Sequence, residues 1–327
     1  MTHHQMNNQP EPPRASGQRL HWEDLPDHIR MAIEAKFGPV ASARTMTGGF
    51  SPGMAARLML ATGETIFAKA VSSIQNEIAP RFHRREIQVA SNLPVTAPVP
   101  CLRWSLDETE GDGWVVLVYD NVEGRPPAQP WEPDEFARVV SALNALTRDL
   151  TPSPVTAARI GAIDTGLPLA GGDWRRLRDA GLTHPDAWML RHLDRLVEMD
   201  ARMTDLTPGN TLLHMDLRGD NMMLTENGVV IVDWSHPDIG PAWMDGVYFA
   251  PSVAMEGGPP PEELVPLLDG LREADPDELT VGICEMAGFF IYHGLLPDVP
   301  NLPGLREFQE AQGAVARRWL TQRTGWE

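Results

Sequence analysis

Residues 212–236, "LLHMDLRGDNMMLTENGVVIVDWSH", decide how this chain is read. Two apolar runs, "MMLT" and "VVIV", flank "ENG", and Asn227-Gly228 supplies the positive φ angles that a tight hairpin turn needs. Residue 227 is the midpoint of 221 and 233. Folding there predicts Asn221 and Asp233 together at the open end of the ribbon, on strands about 5 Å apart. An amide and a carboxylate so placed can share one hard cation, and the pair suits magnesium held with phosphate oxygens. Asp216 lies in the loop entering the ribbon, where a carboxylate can accept a proton from an attacking hydroxyl.

A phosphate-handling site also needs positive charge and backbone donors. Of the 27 basic residues only Lys36 and Lys69 are lysines, so a lysine kept in the apolar run "TIFAKAV" (65–71) invites a chemical reason. The plainer alternative is a chance lysine on an edge strand. Gly48, Gly49 and Gly53, in "TGGFSPGM", let backbone N–H groups approach phosphate closely. Glu86, on the helix after Lys69, is the preferred partner for its ammonium, because "RREIQVASNL" puts it on the helix bearing Ile87 and Leu93, ahead of the next strand; Glu77 competes.

Working outward, residues 22–37 read as a helix with Ile29, Ile33 and Phe37 at a four-residue spacing and Gly38 to stop it. Strands are expected at 55–60, 65–71, 100–106 and 114–119, with a helix over 75–92, giving a small α+β unit on an antiparallel sheet. Beyond "DNVEGRPPAQP" the pattern turns helical. Residues 133–149 carry a stripe at Phe136, Val139, Val140, Leu143 and Leu146 behind Pro133, and helices follow at 186–204, 241–255, 261–272, 277–292 and 302–322. The hairpin is the only strand pair expected in this half. The division is therefore a tail at 1–20, expected to be disordered, a sheet-rich lobe at 21–120 and a helical lobe at 121–327.

Composition narrows the function. At 327 residues with 42% hydrophobic content the chain is soluble and globular in type, and its longest apolar run near the C-terminus, "MAGFFIYHGLL", is too short for a membrane span. The first residues lack the apolar stretch of a secretory signal. A net charge of −18 argues against nucleic acid; it suits either a cationic small molecule or simple solubility. Cys101 and Cys284 read as reduced, buried thiols of a cytoplasmic protein.

The order Gly-rich loop, Lys69, Glu86, "LVYDNVEG" (117–124), His214-x-Asp216-(x)4-Asn221 and Asp233-Trp234 resembles the aminoglycoside phosphotransferase family, over about residues 40–250. The resemblance implies a protein-kinase-like, two-lobed α+β fold, with an antiparallel-sheet N-lobe and a mostly helical C-lobe. It also implies transfer of the γ-phosphate of ATP, or GTP, to a hydroxyl of a small molecule. By position, Asp216 is the expected base, while Asn221 and Asp233 hold Mg2+. Lys69, oriented by Glu86, contacts the α- and β-phosphates, and Ser51 sits over the phosphates. The backbone of Asp120 and Val122 reads adenine, and His214 and Asp245 brace the catalytic loop. Many members have histidine where this chain has Arg218, which either stabilises transferring charge or, the favoured reading, pairs with Asp220 or Asp238. For the acceptor, Asp238, Trp243, Glu256, Tyr292 and His293 are candidates, Asp238 first. Two alternatives stand beside this reading: a pseudokinase that binds nucleotide without turnover, and a metallohydrolase using His214, Asp216, Asp233 and His236.

Overall fold

The computed structural model describes residues 19–49, 52–108, 111–156, 171–180, 186–206, 208–299 and 302–327. The first part of the chain builds a six-stranded sheet, and alternation along its strands decides what the sheet presents. The strands are β1 (Arg19–Leu20), β2 (Val40–Thr45), β3 (Gly53–Leu60), β4 (Thr65–Val71), β5 (Leu102–Asp107) and β6 (Val115–Asp120). The order is β1-β3-β4-β6-β5, with β2 also on β3. In β4, Ile66, Ala68 and Ala70 pack with Ile29 and Ile33 of α1 (Asp27–Phe37) on one face. Because side chains alternate, Phe67 and Lys69 take the other face. There Phe67 joins Leu117, Tyr119 and Ile87 of α2 (Ala79–Ala90).

All pairings are antiparallel except β1 with β3, which is parallel with Arg19 opposite Gly53. Arg19 and Leu20 were assigned to the tail by the sequence; the structure instead places them on the β3 edge, just beyond the stretch that β2 occupies. The rest of the tail, residues 1–18, lies outside the described residues. Helix α1 starts at Asp27 rather than residue 22, because Pro26 precedes it and Trp22–Asp24 form a separate single turn.

The second part is helical: α3 (Pro133–Asp149), α4 (Asp173–Ala180), α5 (Ala187–Ala201), α6 (Met244–Met255), α7 (Pro261–Leu264), α8 (Asp269–Glu273), α9 (Pro276–Gly294) and α10 (Leu305–Thr324). One large core joins these helices. The helix expected over 261–272 is split in two, and Asn144 of α3 accepts the Asp269 N–H at 2.8 Å where the second piece begins. None of the helices among the described residues is long and apolar enough to cross a membrane.

Two strand pairs, not one, lie among the described residues of this half. β7 (Thr211–Leu213) pairs with β10 (Asp238–Gly240), and β8 (Met222–Thr225) pairs with β9 (Gly228–Ile231). The hairpin also turns one residue earlier than expected, on Glu226-Asn227, with Thr225 opposite Gly228. Thr225 Oγ1 accepts the Asn227 N–H, and Arg138 of α3 donates to the carbonyls of Thr225 and Gly228 at 2.6 and 3.0 Å. These bonds fix the turn without a positive φ at Asn227.

A buried acidic group sets a pH response. Glu285 on α9 accepts the Tyr248 hydroxyl at 2.9 Å, and burial, with Asp200 and Asp173 nearby, pushes its pKa up to about 8. Between an unfolded value near 4.5 and about 8 the folded chain holds a proton that the unfolded chain has released, so stability falls as pH rises through this window. Burial lowers the pKa of His83, His236 and His293, which gives the opposite slope, but only below their unfolded value of 6.5. Thermal melts from pH 6.5 to 8 are therefore expected to show a falling Tm, and Glu285→Gln to flatten the fall. An equal slope in both proteins would refute the assignment.

Candidate active site

The site forms where the C-terminal half of β4 meets the hairpin. Lys69 Nζ donates to both oxygens of Glu86, at 2.8 and 3.0 Å, and to Asp233 at 2.7 Å, a residue 164 positions away. Glu77 stands exposed. Glu86 is itself buried and accepts the Tyr119 hydroxyl at 2.9 Å, so its direction is fixed from β6 as well as from β4. Burial opposes the lysine's charge, but Asp233 and Glu86 outweigh it and raise its pKa. For Asp233 burial likewise opposes ionisation, and the Lys69 ammonium overrides it, holding the carboxyl well below the usual range. Glu86 is driven the other way: burial raises its pKa more than a lysine shared with Asp233 can lower it.

Register explains how Asp233 reaches Lys69. With Met222 opposite Ile231, Asn221 faces Val232, whose N–H it accepts at 2.9 Å, and Asp233 falls one residue beyond the ladder. Its φ of 67° turns the chain there. The expected face-to-face pairing of Asn221 with Asp233 is thus replaced by a one-residue offset. Asn221 instead donates to the backbone carbonyl and carboxylate of Asp216, at 2.8 and 3.0 Å. No described group uses its side-chain oxygen, and that oxygen and the Asp233 carboxylate are hard donors of the kind magnesium takes.

The loop carrying Asp216 is held from behind. The Asp245 carboxylate accepts the N–H groups of His214 and of Met215, the latter at φ 61°. His214 Nδ1 accepts the Asp216 N–H at 3.2 Å, which makes Nε2 the protonated nitrogen donating to the Val232 carbonyl at 2.9 Å. With both ring nitrogens used, His214 is a brace and not free to bind a metal. Arg218 pairs with Asp220 at 2.9 Å and with Asp216 at 3.2 Å, rather than with Asp238, and Phe308 covers its guanidinium. Burial works against its charge, but the two aspartates raise its pKa.

The glycines act through close approach. A Cβ on Gly53 (φ 94°) would lie 2.5 Å from the Ala70 carbonyl, so only glycine lets β3 lie this near the residue after Lys69. Gly49 also has a positive φ, 85°, and the Gly48 carbonyl accepts from Arg19 at 2.7 Å. Ser51 lies outside the described residues. At the end of β6, the Asp120 N–H is used by the Cys101 carbonyl and the Val122 carbonyl by Arg57, while no described group takes the Val122 N–H.

The acceptor candidates separate. Trp243 is core: its ring packs on Gly282, where a Cβ would come within 2.3 Å. Nothing in the sequence around Trp243 signals that a glycine across the bundle receives its ring. Glu256 is buried too, bonded to Trp131 at 3.0 Å and set beneath Gly219 of the loop that follows Asp216. Burial and Asp220 push its pKa up to about 7. His293 is buried, Tyr292 is half-buried, and Asp238 is half-buried at the start of β10. Sequence reasoning missed Arg19, His83 and the bond from Tyr119 to Glu86; His83 is a buried imidazole whose pKa burial and Lys69 lower to about 3.

A sheet-borne lysine, a helix glutamate and a hairpin aspartate in one ion-pair set, with an aspartate-bearing loop below, define a kinase-like phosphotransferase class. The profile described as "Phosphotransferase enzyme family" matches residues 58–280, and the chain belongs to that family. Among curated proteins none matches. Solved structures share the two-lobed α+β, protein-kinase-like fold. One is a proposed aminoglycoside phosphotransferase from Ralstonia eutropha JMP134, with 18% identity and a TM-score of 0.60 over 92% of this chain and 99% of that one. A mutant of the aminoglycoside 2'-phosphotransferase IIIa in complex with GDP gives 15% identity and 0.60, covering 91% and 97%. The amicoumacin kinase hAmiN, in complex with AMP-PNP, Ca2+ and amicoumacin, gives 12% and 0.57, covering 90% and 94%. At these identities the likeness is one of fold.

Proposed function

We propose that the chain transfers the γ-phosphate of ATP, with GTP as the alternative donor, to a hydroxyl of a small amine-bearing molecule, an antibiotic or a metabolite. The observation that carries this reading is the Lys69 ammonium held between Glu86 and Asp233, which ties the sheet to the hairpin beside Asp216. In this reading residues 21–120 form the nucleotide lobe, and residues 121–327 carry the catalytic loop and the acceptor pocket.

Each residue has a definite task. Lys69 shifts its ammonium onto the nucleotide phosphates while Glu86 and Tyr119 keep it aimed. The Val122 N–H and the Asp120 carbonyl read the base. Asp216 takes the proton of the attacking hydroxyl, and Asn221 and Arg218 fix its carboxylate while Asp245 and His214 fix its backbone. Asn221 and Asp233 would hold Mg2+, which when bound would neutralise phosphate charge. Such a centre works by alignment and charge stabilisation and needs no covalent bond to the protein.

The net charge of −18 favours a cationic acceptor. Asp238 is retained for acceptor contact, whereas Glu256 is better suited to supporting the loop at Gly219. The pair of free thiols, Cys101 exposed rather than buried as expected and Cys284 buried, suits the cytoplasm. The test is a thermal-shift and ATP-consumption screen against cationic antibiotics, amino sugars and amino alcohols. Acceptor-dependent ADP release supports the enzyme; nucleotide-induced stabilisation with no turnover across the panel would favour the pseudokinase.

A further inference from the structure

A second cation reaches the cleft from an unexpected direction. Strand β1 is only two residues long, yet its parallel pairing sets Arg19 opposite Gly53, the last glycine of the Gly-rich segment. From there Arg19 Nη2 donates to the Gly48 carbonyl at 2.7 Å, and a Cβ on Gly49 would come within 3.0 Å of the same nitrogen. Among the described residues the buried Arg19 Nε has no hydrogen-bond partner. Of the five N–H groups of the guanidinium, one, on Gly48, is used by a described residue. The group also lies within electrostatic range of Asp233 and of His83, which places it on the Lys69 side of the sheet.

The charge of the site gives this position a meaning. The lysine faces two carboxylates, so its charge is more than offset before any phosphate arrives. Arg218 is committed to Asp216 and Asp220. Arg19 has no carboxylate salt-bridge partner among the described residues, and its planar fork matches phosphate oxygens. We propose that Arg19 is a phosphate-binding residue, anchored on Gly48 and contacting the β- or γ-phosphate of the bound nucleotide alongside Lys69. This inference rests on the phosphotransferase reading above.

The test is calorimetric titration of the full chain with AMP-PNP, ADP and AMP in the presence of Mg2+, for wild type, Arg19→Met and Arg19→Lys, with Tm measured for each. Losing a charge-assisted bond is expected to weaken AMP-PNP binding about tenfold or more, to leave AMP unchanged, and to be partly restored by Arg19→Lys. If Arg19 only staples β1 to the Gly-rich segment, Arg19→Met lowers Tm or weakens all three nucleotides alike, and the proposal falls. Unchanged AMP-PNP affinity overturns it as well. A wild-type protein that binds AMP-PNP no better than AMP would instead remove the phosphotransferase reading, and this inference with it.

Discussion

Asp216→Ala is expected to reduce turnover by about 10²–10⁴-fold, the range a positioned base contributes, while nucleotide affinity stays near wild type. The separation follows from geometry. Asp216 touches Arg218 and Asn221, whereas Lys69 is positioned by Glu86 and Asp233. The variant leaves Arg218 its bond to Asp220, so the loop keeps one of its two ion pairs. Asp216→Asn is the closer control, since the amide keeps the shape of the side chain and an oxygen for Asn221, while removing the basic carboxylate and its ion pair with Arg218. Both variants are expected to fail in steady-state kinetics, and both to bind AMP-PNP in a direct titration. Lost nucleotide binding in both would mean that the carboxylate holds the cleft together rather than accepting a proton.

Lys69→Met carries the second large effect, on both stability and binding. It leaves Glu86 and Asp233, 2% and 29% exposed at the side chain, facing each other without a cation. Removing one partner of a buried ion pair costs about 3–5 kcal/mol, and Asp233's partial exposure places the expectation at the lower end. At roughly 2–4 °C per kcal/mol for a chain of this order of size, Tm falls by about 6 °C or more. The pH sign is fixed as well. Glu86 already sits above the ordinary carboxylate value because of burial, and without the lysine it rises further. The variant's folded state then holds a proton that its unfolded state has released, so its deficit against wild type grows as pH rises above about 4.5 and is smaller in acid. Melting curves at pH 5 and pH 7.5 would show this; a deficit independent of pH would mean that Lys69 contributes packing alone.

Much of the architecture was legible because it rests on strong local patterns. Residues 133–149 and 65–71 have the expected bounds, since one carries a full helical stripe behind Pro133 and the other alternates between a buried and a half-buried face. The Lys69–Glu86 contact was also within reach, because a lone lysine in an apolar strand needs a counterion. What failed was decided by contacts distant in sequence. Two residues such as Arg19 and Leu20 carry no periodicity, and only the free edge of β3 makes them a strand. The hairpin register turned on Arg138, a helix residue gripping the turn, rather than on Asn227-Gly228. Trp243 and Glu256 looked available to an acceptor until the glycines at 282 and 219 showed which surfaces they fill.

The central claim is that the ion-paired cleft at Lys69 delivers a phosphoryl group to a hydroxyl deprotonated at Asp216. It is tested most directly by a single-turnover experiment with γ-labelled ATP, Mg2+ and an acceptor identified in the screen, run in parallel on wild type and Asp216→Ala at saturating nucleotide. The account predicts label on the acceptor oxygen with wild type and almost none with the variant. Transfer by the variant at the wild-type rate would contradict it.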